Sequence, residues 1–259
     1  MEKLPSIETL NIQEEAKKIV EQVADVYQRH TGENFIGLLV HGSAVKAGVI
    51  PGSSDIDFHL YLKEVAFERQ GVLPLELYVN IHRDLSKIDI KPFRYIQCKT
   101  LTDQLPEGFV GPIPSAYQIV AGRLPVEEAT SEQLKESAIK ALHNITAVPK
   151  YFSTLLDHGK ERLTRVVRLL STQVSPTIFH VLSFVNQDAV EVWQMPKNEA
   201  IHLLPDEEMK QFAIQFYECA ERYYPDENLV DDALGMIENG AKFFESVNLW
   251  FAKEMKVSK

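Results

Sequence analysis

The sequence predicts an α+β protein, a mixed α/β layer in its first half followed by an all-helical bundle. Three observations carry that prediction. Short apolar or alternating runs at 35–40, 55–62 and 93–101 are interrupted by a helical pattern, so strand, helix and strand follow one another. That texture ends at Glu127-Glu128-Ala129-Thr130, and beyond it only helical periodicity remains. Prolines and glycines mark breaks in the second half at spacings suited to short helix connections. The boundary therefore falls near residue 130, giving domains 1–130 and 131–259.

Taken in order, Ile12, Ala16, Ile19, Val20 and Val23 recur at helical spacing, with Glu14, Glu15, Lys18 and Glu21 between them. This is an amphipathic helix, ended by Thr31-Gly32-Glu33-Asn34. Residues 35–40 (FIGLLV) suit a buried strand, and His41-Gly42-Ser43 follows directly. Residues 49–54 (VIPGSS) form a loop by their Pro-Gly and serines. From 55 to 62 the pattern alternates, with Ile56, Phe58, Leu60 and Leu62 on one face and Asp55, Asp57, His59 and Tyr61 on the other. Pro74 suits the first turn of a helix running on through Leu75, Ile81, Leu85 and Ile88, although 75–80 read alone also fits a strand. Residues 93–101 return to strand character, 105–114 are a loop rich in proline and glycine, and 115–120 fit either a short helix or a strand. In the second half, helices are expected at 132–147, 150–156, 160–174, 176–186, 199–204, 206–223 and 228–254, with breaks at Pro149, Gly159, Pro196, Pro205 and Pro225.

Composition narrows the classes of function. A hydrophobic share of 45% and a charged share of 25% are those of an ordinary globular protein. No run approaches a membrane span, and the N-terminus is too acidic and polar for a secretory signal. Only Cys98 and Cys219 occur, outside any metal-ligand spacing, which makes a reducing cytoplasm the expected compartment. The net charge of −10 is spread evenly, with 18 acids against 13 bases up to residue 130 and 19 against 14 after it. Such a field opposes binding to long nucleic acid, and there is no basic stripe. It favours a cationic small substrate or serves solubility alone. The eight histidines lack zinc spacing. Arg162, Arg165 and Arg168 step along one helix, a pattern more often solvated than bound to phosphate.

The chemistry concentrates in 38–62, LLVHGSAVKAGVIPGSSDIDFHLYL. Glycine after a buried strand lets a backbone approach a phosphate, and amides opening a short helix at Ser43 would face an anion. Asp55 and Asp57 lie two apart on a strand and project from one face. Two such carboxylates make a hard oxygen site for Mg²⁺ that also accepts phosphate oxygens, as in metal-assisted phosphoryl and nucleotidyl transfer.

Gly42-Ser43, eleven residues, then Asp55-Ile56-Asp57, with LLVHGS before and DFHLYL after, resembles the signature of the polymerase-β-like nucleotidyltransferase superfamily. With a helical bundle following, the layout is similar to that of aminoglycoside-type nucleotidyltransferases. The resemblance implies that Gly42 and Ser43, with Ser54 beside them, hold the nucleotide phosphates, and that Asp55 and Asp57 ligate Mg²⁺ or Mn²⁺. It implies a third acid on the next strand, as base or additional ligand. Asp89, in Ile88-Asp89-Ile90, is the preferred candidate; Glu76 is the alternative if 75–80 is a strand, and a site of two carboxylates is also open. The activity implied is Mg-dependent transfer of a nucleoside monophosphate, AMP from ATP for preference, to a hydroxyl of a small acceptor, a cationic one fitting the acidic charge, with release of pyrophosphate. The competing expectation is a nucleotide-binding or antitoxin-like module of the same fold without turnover.

Overall fold

The computed structural model describes residues 7–69, 71–104, 108–225 and 229–257. The expected loop at 105–114 and the expected last helix therefore each begin outside the described residues. Two compact units result, Met1–Ala129 and Thr130–Lys259.

In the first unit, α1 (Glu14–Thr31) precedes β1 (Phe35–His41), the short α2 (Ser43–Lys46), β2 (Ile56–Leu62), α3 (Leu75–Leu85), β3 (Ile96–Leu101) and β4 (Tyr117–Gly122). The strands form one mixed sheet in the order β3-β2-β1-β4. β1 runs antiparallel to β2 and β4, and β2 runs parallel to β3. The alternation read in 55–62 decides the layering. Ile56, Phe58, Leu60 and Leu62 join Leu38 and Val40 in a core with Ala16, Ile19, Val20 and Val23 of α1. The opposite face carries a smaller apolar cluster of Leu39, Tyr61 and Leu101, with Ile36, Phe109 and Tyr117 packed against it.

Glu14 and Glu15 open α1 while Arg29 and His30 close it, the charge order its dipole favours. Its last turn is tied to α3 through Asp84, which takes Arg29 Nη1 at 2.9 Å and Lys87 Nζ at 2.6 Å, with His30 Nε2 at 2.8 Å. The bonds from Lys87, His30 and Arg29 hold the Asp84 carboxyl well below the usual carboxylate range. Residues 75–80 belong to helix α3, so the strand alternative for them fails. The ambiguous 115–120 resolves as strand: β4 pairs with β1 from His41↔Tyr117 to Gly37↔Gly122.

The second unit is helical: α4 (Ser131–His143), a 3₁₀ segment (Lys150–Leu156), α5 (Lys160–Val185), α6 (Ala189–Gln194), α7 (Lys197–His202), α8 (Glu207–Tyr223) and α9 (Val230–Val257). A capping box opens α4, with Thr130 Oγ1 accepting Gln133 N–H at 3.2 Å and Thr130 N–H donating to Gln133 Oε1 at 3.0 Å. Two expectations are corrected. Pro176 does not separate two helices but lies inside the 26-residue α5. Proline removes one helical hydrogen bond, at a cost of about 3 kcal/mol, and the packing of Val174, Thr177, Ile178 and Val181 around it overrides that penalty. The helix α6 was not anticipated, although Asp188 signals it by accepting Val190 N–H and Glu191 N–H.

Candidate active site

The loop from β1 to β2 is closed by short-range bonds. Gly42 adopts φ 72° and ψ −145° and caps α2, a backbone region that residues with side chains rarely enter. Its carbonyl accepts both Val45 N–H and Lys46 N–H, so the amides of Ser43 and Ala44 stand ahead of the first intrahelical bond. Ser43 Oγ donates to the Asp55 carbonyl at 3.1 Å and ties α2 to the start of β2. Ser54 Oγ accepts Ile50 N–H at 2.9 Å, so this hydroxyl shapes the loop itself.

Glycine at 42 is required by space as well as by φ. A Cβ there would lie 2.5 Å from Asp57 Oδ2, which means that the Asp57 carboxylate rests against the turn. Asp57 pairs across the sheet with His41 on β1 and with Gln97 on β3. Asp55 immediately precedes β2. The structure therefore gathers Gly42, Ser43, Asp55 and Asp57, four of the residues singled out in the sequence, at one end of the sheet.

Asp89 is exposed between α3 and β3, and its Oδ1 accepts Lys91 N–H at 3.2 Å. The backbone bonds that join this segment to the acids' loop come later in the chain: Gly52 N–H to Pro92 O, Arg94 N–H to Ser54 O and Ile56 N–H to Tyr95 O. Glu76 lies exposed in the first turn of α3. Among the described residues, no three His, Cys, Asp or Glu side chains form a metal-holding group. Asp55 and Asp57 would offer a cation two hard carboxylates. That set fits Mg²⁺, which commonly takes one or two protein carboxylates and completes its sphere with phosphate oxygens and water.

Three further groups give the site its electrostatics, and none was assigned a site role from sequence. Lys46, at the last turn of α2, is pushed down to about 8 by burial. His41 is pushed down to about 3, by burial first and then by His59 and Lys46. His59 falls to about 4 through burial and the nearby Lys99. Both imidazoles are therefore neutral at pH 7, their rings 4.6 Å apart. Lys99 stacks over the Phe109 ring at 3.9 Å. The sign of Lys46 was legible, because it is the first cation after Gly42-Ser43; its burial was not.

Neither a protein-family model nor a curated protein sequence matches the chain. A comparison of structures finds spectinomycin adenyltransferase AAD(9) from Enterococcus faecialis, solved with ATP and spectinomycin, at a TM-score of 0.51 and 14% identity. The match covers 87% of this chain and 98% of that one. At that identity the likeness establishes the fold alone, a mixed-sheet α/β unit followed by a helical unit.

Proposed function

We propose that this fold, with its paired acids against a glycine turn, is a metal-dependent nucleotidyltransferase that moves a nucleoside monophosphate, from ATP by preference, to a hydroxyl of a small acceptor. The observation that carries the reading is the seat of the Asp57 carboxylate against Gly42, in a position that any side chain at 42 would block. The likeness to a fold that in one instance was solved with ATP and spectinomycin supports it.

In this reading Asp55 and Asp57 would hold a divalent cation. Bound there, Mg²⁺ supplies charge neutralisation on the phosphate oxygens. The first-turn amides of Ser43 and Ala44 and the ammonium of Lys46 bind and orient the β- and γ-phosphates. Ser43 Oγ, through Asp55 O, fixes the phosphate turn relative to the acids. Ser54 acts by shaping the loop. The acceptor oxygen attacks the α-phosphorus, the bond to the β-phosphate oxygen breaks, and pyrophosphate leaves. The proton of the acceptor hydroxyl passes to water or to Asp89; Asp89→Asn lowers turnover at unchanged nucleotide affinity in the second case only. Positioning and charge complementarity supply most of the acceleration. The net charge of −10 favours a cationic acceptor.

A second reading, a nucleotide-binding module without turnover, is favoured by one observation: the residue beside Asp57 on β3 is Gln97, not an acid. Incubation with Mg²⁺, labelled nucleoside triphosphates and an acceptor panel that includes aminoglycosides separates the two. Acceptor-dependent pyrophosphate release that vanishes in Asp57→Ala is the expected result. Metal-dependent nucleotide binding with no product for any acceptor supports the module, and absence of metal-dependent nucleotide binding sinks both.

A further inference from the structure

His41 and His59 have no task in the reaction proposed above. In the antiparallel ladder of β1 and β2, His41 stands opposite Asp57 and His59 opposite Leu39, so the two histidines are diagonal neighbours on one face of the sheet. Their rings lie 4.6 Å apart and are inclined at 61°. Both side chains are only partly exposed. His59 Nδ1 is buried and has no hydrogen-bond partner among the described residues, and the hydroxyl of Tyr61, the next residue on that face, is in the same state. Buried polar atoms are nearly always satisfied, so two such atoms beside one imidazole pair set this part of the face apart from an ordinary core.

Any two rings could serve packing, but an imidazole also brings a nitrogen lone pair. That donor suits Zn²⁺, Co²⁺, Ni²⁺ and Cu²⁺, whereas Mg²⁺ prefers carboxylate and water. Two imidazoles that share one tetrahedral Zn²⁺, each nitrogen about 2.0 Å from it, place their ring centroids about 5 Å apart. The pair already has nearly that spacing. Among the described residues, no third His, Cys, Asp or Glu completes a metal-holding group, so the other coordination positions would go to water. Lys46 near His41 and Lys99 near His59 oppose a cation, while Asp57 opposite His41 favours one. Ligation by nitrogen, more than net charge, then selects the ion. We propose that His41 and His59 together form a two-imidazole site for a divalent cation of the Zn²⁺ type, selective against Mg²⁺.

The test is a calorimetric titration of the untagged full chain with ZnCl₂, in wild type, His41→Gln, His59→Gln and His59→Phe. The phenylalanine keeps a ring in the packing and removes the nitrogens; circular dichroism checks the fold of each variant. Loss of an outer-shell partner commonly costs 10–100-fold in metal affinity, and loss of a ligand at least as much. Wild type is therefore expected to bind Zn²⁺ roughly tenfold or more tightly than each of the three variants, with excess Mg²⁺ changing its affinity less than twofold. In wild type, imidazole nitrogen resonances should move on adding Zn²⁺ for two of the eight histidines. No Zn²⁺ binding by wild type overturns the inference. So does affinity kept in either the His41 or the His59 variants, displacement by Mg²⁺, or a shift confined to other histidines. The titration contains no nucleotide, so its outcome is independent of the nucleotidyltransferase reading.

Discussion

Gly42→Ala is the sharpest perturbation of the candidate site, because its effect separates into two parts. The first is backbone strain: with φ at 72° and ψ at −145°, a residue with a Cβ costs about 1–3 kcal/mol. The second is displacement. The new Cβ would stand 2.5 Å from Asp57 Oδ2, and ordinary contact begins at 3.4 Å, so the carboxylate must retreat by about 0.9 Å. Metal–ligand distances tolerate about 0.2 Å. Metal-dependent nucleotide affinity should therefore fall by roughly 10–100-fold, and turnover by on the order of 100-fold. Gly48→Ala is the matched control. Gly48 also has a positive φ, of 83°, but nothing lies within 4 Å of a Cβ built on it. Both variants should lower the melting temperature by several degrees, and only Gly42→Ala should lose binding, read by calorimetric titration with Mg²⁺ and an ATP analogue. Gly42→Ala that binds nucleotide as Gly48→Ala does would falsify the placement of Asp57 as a ligand.

Other outcomes follow from the same geometry. Lys46→Met should weaken triphosphate binding about tenfold or more, the worth of a hydrogen bond to a charged group, and Lys46→Arg should recover part of it; equal affinities for wild type and Lys46→Met would make Lys46 a packing residue. His180 of α5 is pushed down to about 4 by burial, with Nδ1 lacking a hydrogen-bond partner among the described residues. The unfolded chain, near 6.5, then binds the proton that the folded state refuses, so this contribution to stability is full above pH 6.5 and is lost as pH falls toward 4. Denaturant midpoints at pH 7 and pH 4.5 should accordingly converge in His180→Leu relative to wild type. Thr130→Ala removes the capping box of α4 and should cost about 1 kcal/mol in chemical unfolding; no change would mean that α4 is held by packing alone.

Much of the architecture is legible along the chain because it is written in local periods. The alternation in 55–62 states which residues of β2 face the core, and Ile56, Phe58, Leu60 and Leu62 do so. The helical period of α1 likewise names its buried face. Short-range rules mislead where packing outweighs them, as at Pro176 in α5, or where an element is too short to show a period, as at α6.

The candidate site divides along the same line. Gly42-Ser43 and Asp55-Ile56-Asp57 sit on one strand-loop-strand segment, so spacing alone brings them together, and the sequence by itself determined that half. Which residue stands beside Asp57 on the next strand is decided by the register of β3 against β2, and so by bonds between segments some 40 residues apart in the chain. A hydrophobic-acid-hydrophobic pattern points to Asp89, while the ladder presents Gln97. The burial that lowers Lys46 and neutralises His41 and His59 is equally a property of packed neighbours. Local spacing is fixed by covalent geometry and can be read from a string of residues. Register and desolvation arise only when distant segments pack, and here they set the charge of the site.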